Sequence, residues 1–191
     1  PQDAHRVYPI SAHCMKFRHD EDGGFVIEAS TVMDPIAFAT TIRDENGPLW
    51  GPRLAEALRA YRRWNGLLAM VNDENNASVS VDADGRESFA VDFQPRENAR
   101  MEAAMRFSRE VLEAAGAKKV CWTGVIATHV QGSCRMGDDP ARSVVDRNCE
   151  SHEVKGLFVG DASLVPRTLS VNPSLTVMAL ATRLAEHLET T

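Results

Sequence analysis

An Asp84-Gly85 step lies between two segments in which apolar and polar residues alternate, and this pattern restricts the possible folds most. The first segment, residues 79–85, ends in this step. In the second segment, Phe and Val alternate with Ala and Asp over residues 89–93. Asp-Gly is favoured in tight hairpin turns because these turns need residues that tolerate positive φ angles. A period of two places alternate side chains on opposite faces of a strand. The sequence therefore predicts an antiparallel hairpin here.

Further turn signals divide the rest of the first 120 residues into strands and helices. The two helices are predicted from apolar residues spaced three and four apart, and Gly116 is placed to end the second of them. The predicted elements are strands at 6–17, 25–33 and 67–71 and helices at 52–63 and 95–115. Met101, Met105, Val111 and Leu112 are expected on the apolar side of the second helix. The fold class predicted is mixed α+β, with a large sheet backed by helices.

Composition excludes several classes of protein. The formal net charge of −6 argues against a nucleic-acid partner, because nucleic-acid-binding surfaces are usually basic. No stretch approaches the roughly 18 apolar residues of a transmembrane helix. The four cysteines, which lack the close pairing of zinc ligands, are Cys14, Cys121, Cys134 and Cys149. We therefore expect no metal site and reduced thiols, as in a cytosolic protein.

The start of the chain shows neither a signal peptide nor a nucleotide-binding motif. Pro1 is followed by residues without the basic and apolar regions of a signal sequence. No Gly-x-Gly-x-x-Gly motif opens a strand–turn–helix unit, so a dinucleotide-binding start of its own is not predicted. The chain is accordingly expected to be part of a longer protein.

The last third of the chain holds several motifs in a fixed order. They are His129, the Gly-Ser-Cys-Arg-Met-Gly run at 132–137, Val-Val-Asp at 144–146, a predicted strand at 157–160 leading into Gly-Asp-Ala-Ser at 160–163, Pro166, and Asn172-Pro173 before a terminal helix. Over residues 125–188 this order resembles the carboxy-terminal region of the glucose–methanol–choline (GMC) oxidoreductases. The tail is most similar to long-chain alcohol oxidases and related bacterial proteins.

This resemblance implies a fold, a cofactor and an activity. Residues 1–125 would be part of a substrate-binding domain, and residues 126–191 would supply the terminal strand and helix of a flavin-binding α/β domain. The cofactor would be FAD, held with an upstream FAD-binding half of the same protein. The activity would be oxidation of the CH–OH group of a small alcohol.

His129 is the expected catalytic base of that reaction. Alcohol oxidation requires loss of the hydroxyl proton, and a histidine titrates in the range where it can accept one near neutral pH. His129 follows the apolar residues 125–127, which are expected to form a strand, and precedes a glycine-rich bend. For a histidine outside such a motif, a hydrogen-bonded core or surface residue would be the simpler interpretation.

Asn172 has two possible roles. Asn before Pro is a good helix N-cap, because its side-chain oxygen can accept a free backbone N–H. The resemblance instead implies that its amide orients the substrate oxygen beside His129. The helix that follows would bury a stripe of five residues: Val177, Leu180, Ala181, Leu184 and Leu188.

The remaining candidate residues would contact the flavin. The amino end of the terminal helix carries a partial positive charge and free amides. By resemblance this end faces the flavin, which makes Asn172, Pro173, Ser174 and Thr176 candidate neighbours. Gly160, Asp161 and Ala162 would lie near its ribityl and pyrophosphate portion, although Asp161 could equally be a turn residue.

A second class of function stays open from the sequence. The chain could be a non-catalytic fragment or assembly module that has the fold but does not bind flavin alone. An upstream nucleotide-binding unit would favour the enzyme, and the lack of one would favour the module.

Overall fold

The computed structural model describes residues 10–30, 34–74 and 76–190. Backbone contacts divide the chain into two compact units, one of residues 1–71 with 95–126 and the other of residues 72–94 with 127–191. Assignment of residues 1–125 to a substrate domain and 126–191 to a flavin-contacting segment stays a prediction.

A three-stranded antiparallel sheet forms the centre of the first unit. Its strands are β1 (Ile10–Cys14), β2 (Phe25–Ser30) and β5 (Gly66–Val71), with β2 in the middle. β2 is buried from Phe25 to Glu28, as expected of a central strand. The predicted pairing of the first two strands is confirmed, although β1 ends at Cys14 and residues 15–17, predicted as part of it, are not in a strand. Residues 6–9 and 31–33 of the prediction lie outside the described residues.

Helix α3 (Pro95–Ala114) packs against β2 and β5, at nearly the predicted bounds. An aromatic cluster fills this contact, with the Phe17 ring 4.7 Å from Phe25 and 4.8 Å from Phe107 between centroids. Gly116, at a φ of 89°, ends the helical segment as predicted.

The predicted apolar side of α3 is wrong in part. Met105 and Val111 are 46% and 40% exposed, whereas Glu97, Arg100 and Ala104 are buried. Arg100 can be buried on this side of the helix because its guanidinium lies 2.9 Å from the Asp20 carboxylate. Apolar periodicity does not reveal a paired charge of this kind.

A second apolar cluster lies elsewhere in the same unit. It joins α1 (Pro35–Thr41) to α2 (Gly51–Arg59), which a 3₁₀ turn at Tyr61–Arg63 extends to the predicted end. Between them lies a small sheet of β3 (Arg43–Asp44) and β4 (Gly47–Pro48). α1 was not predicted from the sequence, although the Asp34 carboxylate accepts from Ile36 N–H at 2.9 Å and Ala37 N–H at 3.2 Å. Asp before Pro is a recognisable helix start.

The Asp84-Gly85 hairpin is confirmed, with β6 (Ala77–Val81) paired to β7 (Glu87–Val91). The Asp82 carboxylate accepts from the Asp84 and Arg86 amides, both at 2.9 Å. Gly85 adopts a φ of 79°, which explains the need for glycine.

The carboxy-terminal part of the second unit has little regular structure. Its elements are a 3₁₀ helix at Ala162–Leu164 and α4 (Ser174–Thr190). Leu180 and Leu184 of α4 pack against a core of Val145, Cys149 and Leu164. The predicted buried stripe of α4 is wrong in part: these two leucines pack against the core but are only partly buried, no described residue of α4 is fully buried, and Leu188 is 47% exposed.

The strands predicted at 125–127 and 157–160 are absent. Val125 and Ile126 are 71% and 49% exposed, with no described strand beside them to bury an apolar edge. Around 157–160 only one isolated bridge forms, between Glu150 and Phe158. The large sheet is also not confirmed, since the described strands form one sheet of three strands and two of two. No helix among the described residues is long and apolar enough to cross a membrane.

We predict that Asp34→Ala lowers the free energy of unfolding by about 1 kcal/mol, because two amides of α1 lose their acceptor. Urea unfolding measures the change. Asp34→Asn is the control, since it retains a side-chain oxygen and should lose much less. Equal losses in both variants would contradict the capping role.

Candidate functional site

An open cleft of about 390 Å³ brings His129 beside the amino end of α4. Its lining residues are Thr128, His129, Val130, Ala162, Pro173, Ser174, Val177 and Met178. Four of them were predicted from the sequence: His129, Ala162, Pro173 and Ser174. The other four, a threonine and three apolar residues, were missed because such residues beside a motif carry no signal that separates a cleft wall from the rest of the fold.

His129 is the one titratable residue in this lining. It is half-buried, and its imidazole makes no hydrogen bond with any described residue. The residues that line the cleft around it are mostly apolar. Two of these residues are widely exposed, Val130 at 74% and Met178 at 59%. The cleft therefore offers one proton acceptor within apolar surroundings.

The amino end of α4 supplies polar groups to the cleft. The Pro173 carbonyl accepts the first helical hydrogen bond, from Val177 N–H at 2.9 Å. The amides of Ser174, Leu175 and Thr176 therefore have no acceptor within the helix. Together with the helix dipole, they favour a negatively charged or electron-rich group at this end.

Asn172 lies one residue before the position that caps α4. Because Pro173 provides the capping carbonyl, the structure gives no support to the N-cap role considered for Asn172. Its half-buried side-chain amide makes no hydrogen bond with a described residue. The preceding turn includes Ser170 at a φ of 56°, a rare conformation for a residue other than glycine. Asn172 adjoins the lining residue Pro173 but does not itself line the cleft.

Gly160, Asp161 and Thr176 are also not among the lining residues. Gly160 allows a close approach to α4, because a Cβ there would lie 3.3 Å from the Leu184 Cδ2. The Asp161 carboxylate accepts from the Ser163 amide at 2.8 Å and from its hydroxyl at 2.5 Å. These contacts give Gly160 and Asp161 local structural roles, and their contacts with a cofactor stay a prediction.

Two backbone hydrogen bonds hold the His129 segment against the 3₁₀ turn of the cleft. Cys134 N–H donates to the Ser163 carbonyl at 3.1 Å, and Met136 N–H donates to the Leu164 carbonyl at 2.9 Å. Leu164 is 1% exposed and belongs to the core on which α4 packs. The same core thus supports three parts of the cleft wall.

The cysteines and acidic residues do not form a metal centre in the described part of the chain. No group of three or more His, Cys, Asp or Glu side chains there could hold a metal ion. All four cysteines are free thiols. Burial raises the pKa of the Cys149 thiol, and the same cause raises the pKa of Cys121.

We predict that Ser163→Ala raises the pKa of Asp161. The Ser163 hydroxyl, followed by its amide, stabilises the charged carboxylate and lowers its pKa below the ordinary value. The interaction between the Asp161 carboxylate and Ser163 therefore contributes its full stability above that ordinary pKa, near 3.9. This stability is lost only as the pH falls through the lower folded-state pKa. A ¹³C NMR titration of the carboxyl group measures the change.

Ser163→Thr is the control for that titration, because it retains the hydroxyl donor and should leave the lowered pKa in place. An unchanged pKa in the alanine variant would show that the hydroxyl does not stabilise the carboxylate.

Comparison with known proteins shows which family the chain belongs to. A family model described as GMC oxidoreductase matches residues 74–181, which is more than half of the chain. A solved pyridoxine 4-oxidase from Mesorbium loti superimposes with a TM-score of 0.62 and 22% identity, over 88% of this chain and 35% of that one. This second likeness shows a shared fold.

Curated relatives agree with the family match. A long-chain-alcohol oxidase of Arabidopsis thaliana is 29% identical over 182 residues, covering 73% of this chain and 24% of the relative. A 6'''-hydroxyparomomycin C oxidase of Streptomyces lividus is 34% identical over 121 residues, covering 58% of this chain and 22% of the relative. The chain thus spans about a quarter of the length of these relatives. The resemblance drawn from the motifs is confirmed: this chain belongs to the GMC oxidoreductase family.

Proposed function

We propose that this chain is the carboxy-terminal part of an FAD-dependent oxidoreductase that oxidises the CH–OH group of an alcohol. The observation that carries the proposal is the position of His129 in a cleft whose other wall is the amino end of α4. Because the chain spans about a quarter of its relatives, the activity is proposed for the protein that joins it to an FAD-binding portion.

The residues of the cleft fit a flavin. A flavin ring is planar and largely apolar, and Val130, Val177 and Met178 offer it an apolar surface. Negative charge gathers at the pyrimidine edge of the ring on reduction, and the free amides that start at Ser174 would stabilise that charge. When bound, the flavin would accept the hydride from the carbinol carbon.

His129 would take the hydroxyl proton of the alcohol. The residues around His129 are mostly apolar, and the imidazole makes no hydrogen bond with a described residue that would occupy its ring nitrogens. A neutral imidazole has one nitrogen lone pair that can accept a proton, and histidine changes protonation near physiological pH. Removal of this proton in the transition state lowers the barrier to hydride loss.

Asn172 would orient the substrate. Asn172 adjoins the lining residue Pro173 and its side-chain amide makes no hydrogen bond with a described residue, so its N–H groups could donate to the alcohol oxygen while His129 accepts the proton. Holding the oxygen in this way favours productive geometry over other orientations.

The other predicted cofactor residues divide into two groups. Ala162, Pro173 and Ser174 line the cleft and would contact the flavin ring directly. Gly160, Asp161 and Thr176 lie outside the lining, and we propose that they border the flavin further from His129. The local contacts of Gly160 and Asp161 would then shape the chain that approaches it.

The substrate proposed is a small-molecule alcohol without a charged group near the hydroxyl. The names of the relatives describe a long-chain-alcohol oxidase and a 2-methyl-1,2-propanediol dehydrogenase, which share oxidation of an alcohol and differ in chain length. Apart from His129, the cleft lining contains no ionisable side chain that could pair with a charged substrate.

We predict that His129→Ala slows reduction of the flavin by alcohol by about 10²- to 10⁴-fold, because the base is lost while the cofactor site is retained. Stopped-flow absorbance of the full-length holoprotein measures this rate, and the visible spectrum verifies bound FAD.

His19→Ala is the matched control, because His19 is an exposed histidine in a turn of the first unit. It should reduce at the wild-type rate. Unchanged reduction in His129→Ala would rule out the base. Failure of the wild-type holoprotein to bind any flavin would favour the non-catalytic module.

A further inference from the structure

We propose that His152 is a positioning residue that fixes the segment following His129. Its Nε2 lies 3.1 Å from the Gly137 carbonyl oxygen and 3.0 Å from the Ser143 Oγ. The first contact joins two residues 15 apart in sequence and closes the loop from Gly137 to His152 at its base, while the second reaches Ser143 within that loop. Neither His152 nor Ser143 was a candidate from the sequence.

The surroundings of Nε2 determine which ring nitrogen carries the proton. A carbonyl oxygen has only lone pairs, so the approach of Nε2 to the Gly137 oxygen is favourable only if Nε2 donates a hydrogen. The other tautomer would set two lone pairs against each other. The neutral His152 ring is therefore protonated at Nε2.

The Ser143 hydroxyl completes the same network. Its Oγ lies 2.6 Å from the Asp139 carbonyl oxygen and 3.0 Å from that of Gly137. The single hydroxyl hydrogen is shared between the two carbonyls, with the shorter contact to Asp139, and a lone pair faces the His152 donor. Each donor in this cluster thus has an acceptor. We refer to Gly137, Ser143 and His152 as the clasp.

Gly137 is required by the closeness of the clasp. A Cβ at this position would lie 3.0 Å from the Ser143 Cβ and 3.2 Å from its Oγ. A side chain at 137 would therefore push Ser143 away from its partners. The Gly137 amide is held as well, because it donates to the Val145 carbonyl at 3.0 Å.

The clasp adjoins the bonds that hold the cleft together. Residues 128–133 make no backbone hydrogen bond with a described residue, so the first anchors after His129 are Cys134 and Met136. The Met136 amide bonds to Leu164, and the next residue, Gly137, is the one that His152 holds. Loosening the clasp would therefore let the anchored segment shift, and His129 would shift with it.

The test compares His152→Gln with His152→Asn and His152→Leu in the full-length holoprotein. Glutamine can place an amide N–H near the position of Nε2, asparagine is too short to do so, and leucine has no donor. His19→Leu is the control at an exposed histidine. The two readouts are hydrogen exchange of residues 134–145 and the flavin reduction rate at saturating alcohol.

We expect faster exchange in the leucine and asparagine variants and a reduction rate lowered by about ten- to a hundredfold, since small displacements of a catalytic group have effects of this size. Apparent alcohol affinity should change much less than the rate. The glutamine variant should stay close to wild type in both readouts. If leucine prevents folding, the asparagine variant decides the same comparison.

Three outcomes would overturn the proposal. Unchanged exchange in the asparagine variant would show that the clasp restrains nothing, and a glutamine variant as impaired as asparagine would refute the donor assignment. Faster exchange with unchanged reduction would show that the clasp does not position His129. The kinetic readout rests on the proposed function, whereas exchange tests the clasp even if the wild type does not oxidise alcohols.

Discussion

The pair of backbone hydrogen bonds from Cys134 and Met136 to the carbonyls of Ser163 and Leu164 is the constraint on which the cleft depends. These bonds join the irregular loop that follows His129 to the 3₁₀ helix at Ala162–Leu164. His129 precedes the loop and Ala162 belongs to the helix, and both side chains line the cleft. Backbone groups buried in irregular structure must find partners, and here the partners bring the two walls together.

A small apolar core fixes the positions of the segments that these hydrogen bonds connect. Leu164 is almost fully buried with Val145 and Cys149, and two leucines of α4 pack against them. The hydrogen-bonded segments and the amino end of α4 are thus fixed on one common support. Without this core, the proposed base and the helix end that faces it would have no set separation.

The sequence predicted well those features that depend on local chemistry. Asp84-Gly85 specified its turn because Gly85 must adopt a positive φ, and the bounds of α3 followed from Pro95 and Gly116. Burial of Arg100 could not be predicted, because it depends on Asp20, which is distant in sequence.

The same distinction applies to the candidate site. His129 and Ser174 were found from motif order, and the structure places both in one cleft. The Ser143–His152 contact could not be found in this way, because only the folded loop brings these residues together. The strand predicted at 157–160 is absent: Val159 packs against the core of Val145, Cys149 and Leu164, Leu157 is 52% exposed, and the segment forms one bridge, between Glu150 and Phe158.

A crystal structure of the full-length holoprotein would show whether the cleft beside His129 receives a flavin. We expect electron density for the flavin ring in this cleft, in contact with His129 and with the amides at the amino end of α4. Flavin bound elsewhere, with this cleft filled by protein side chains or solvent, would contradict it.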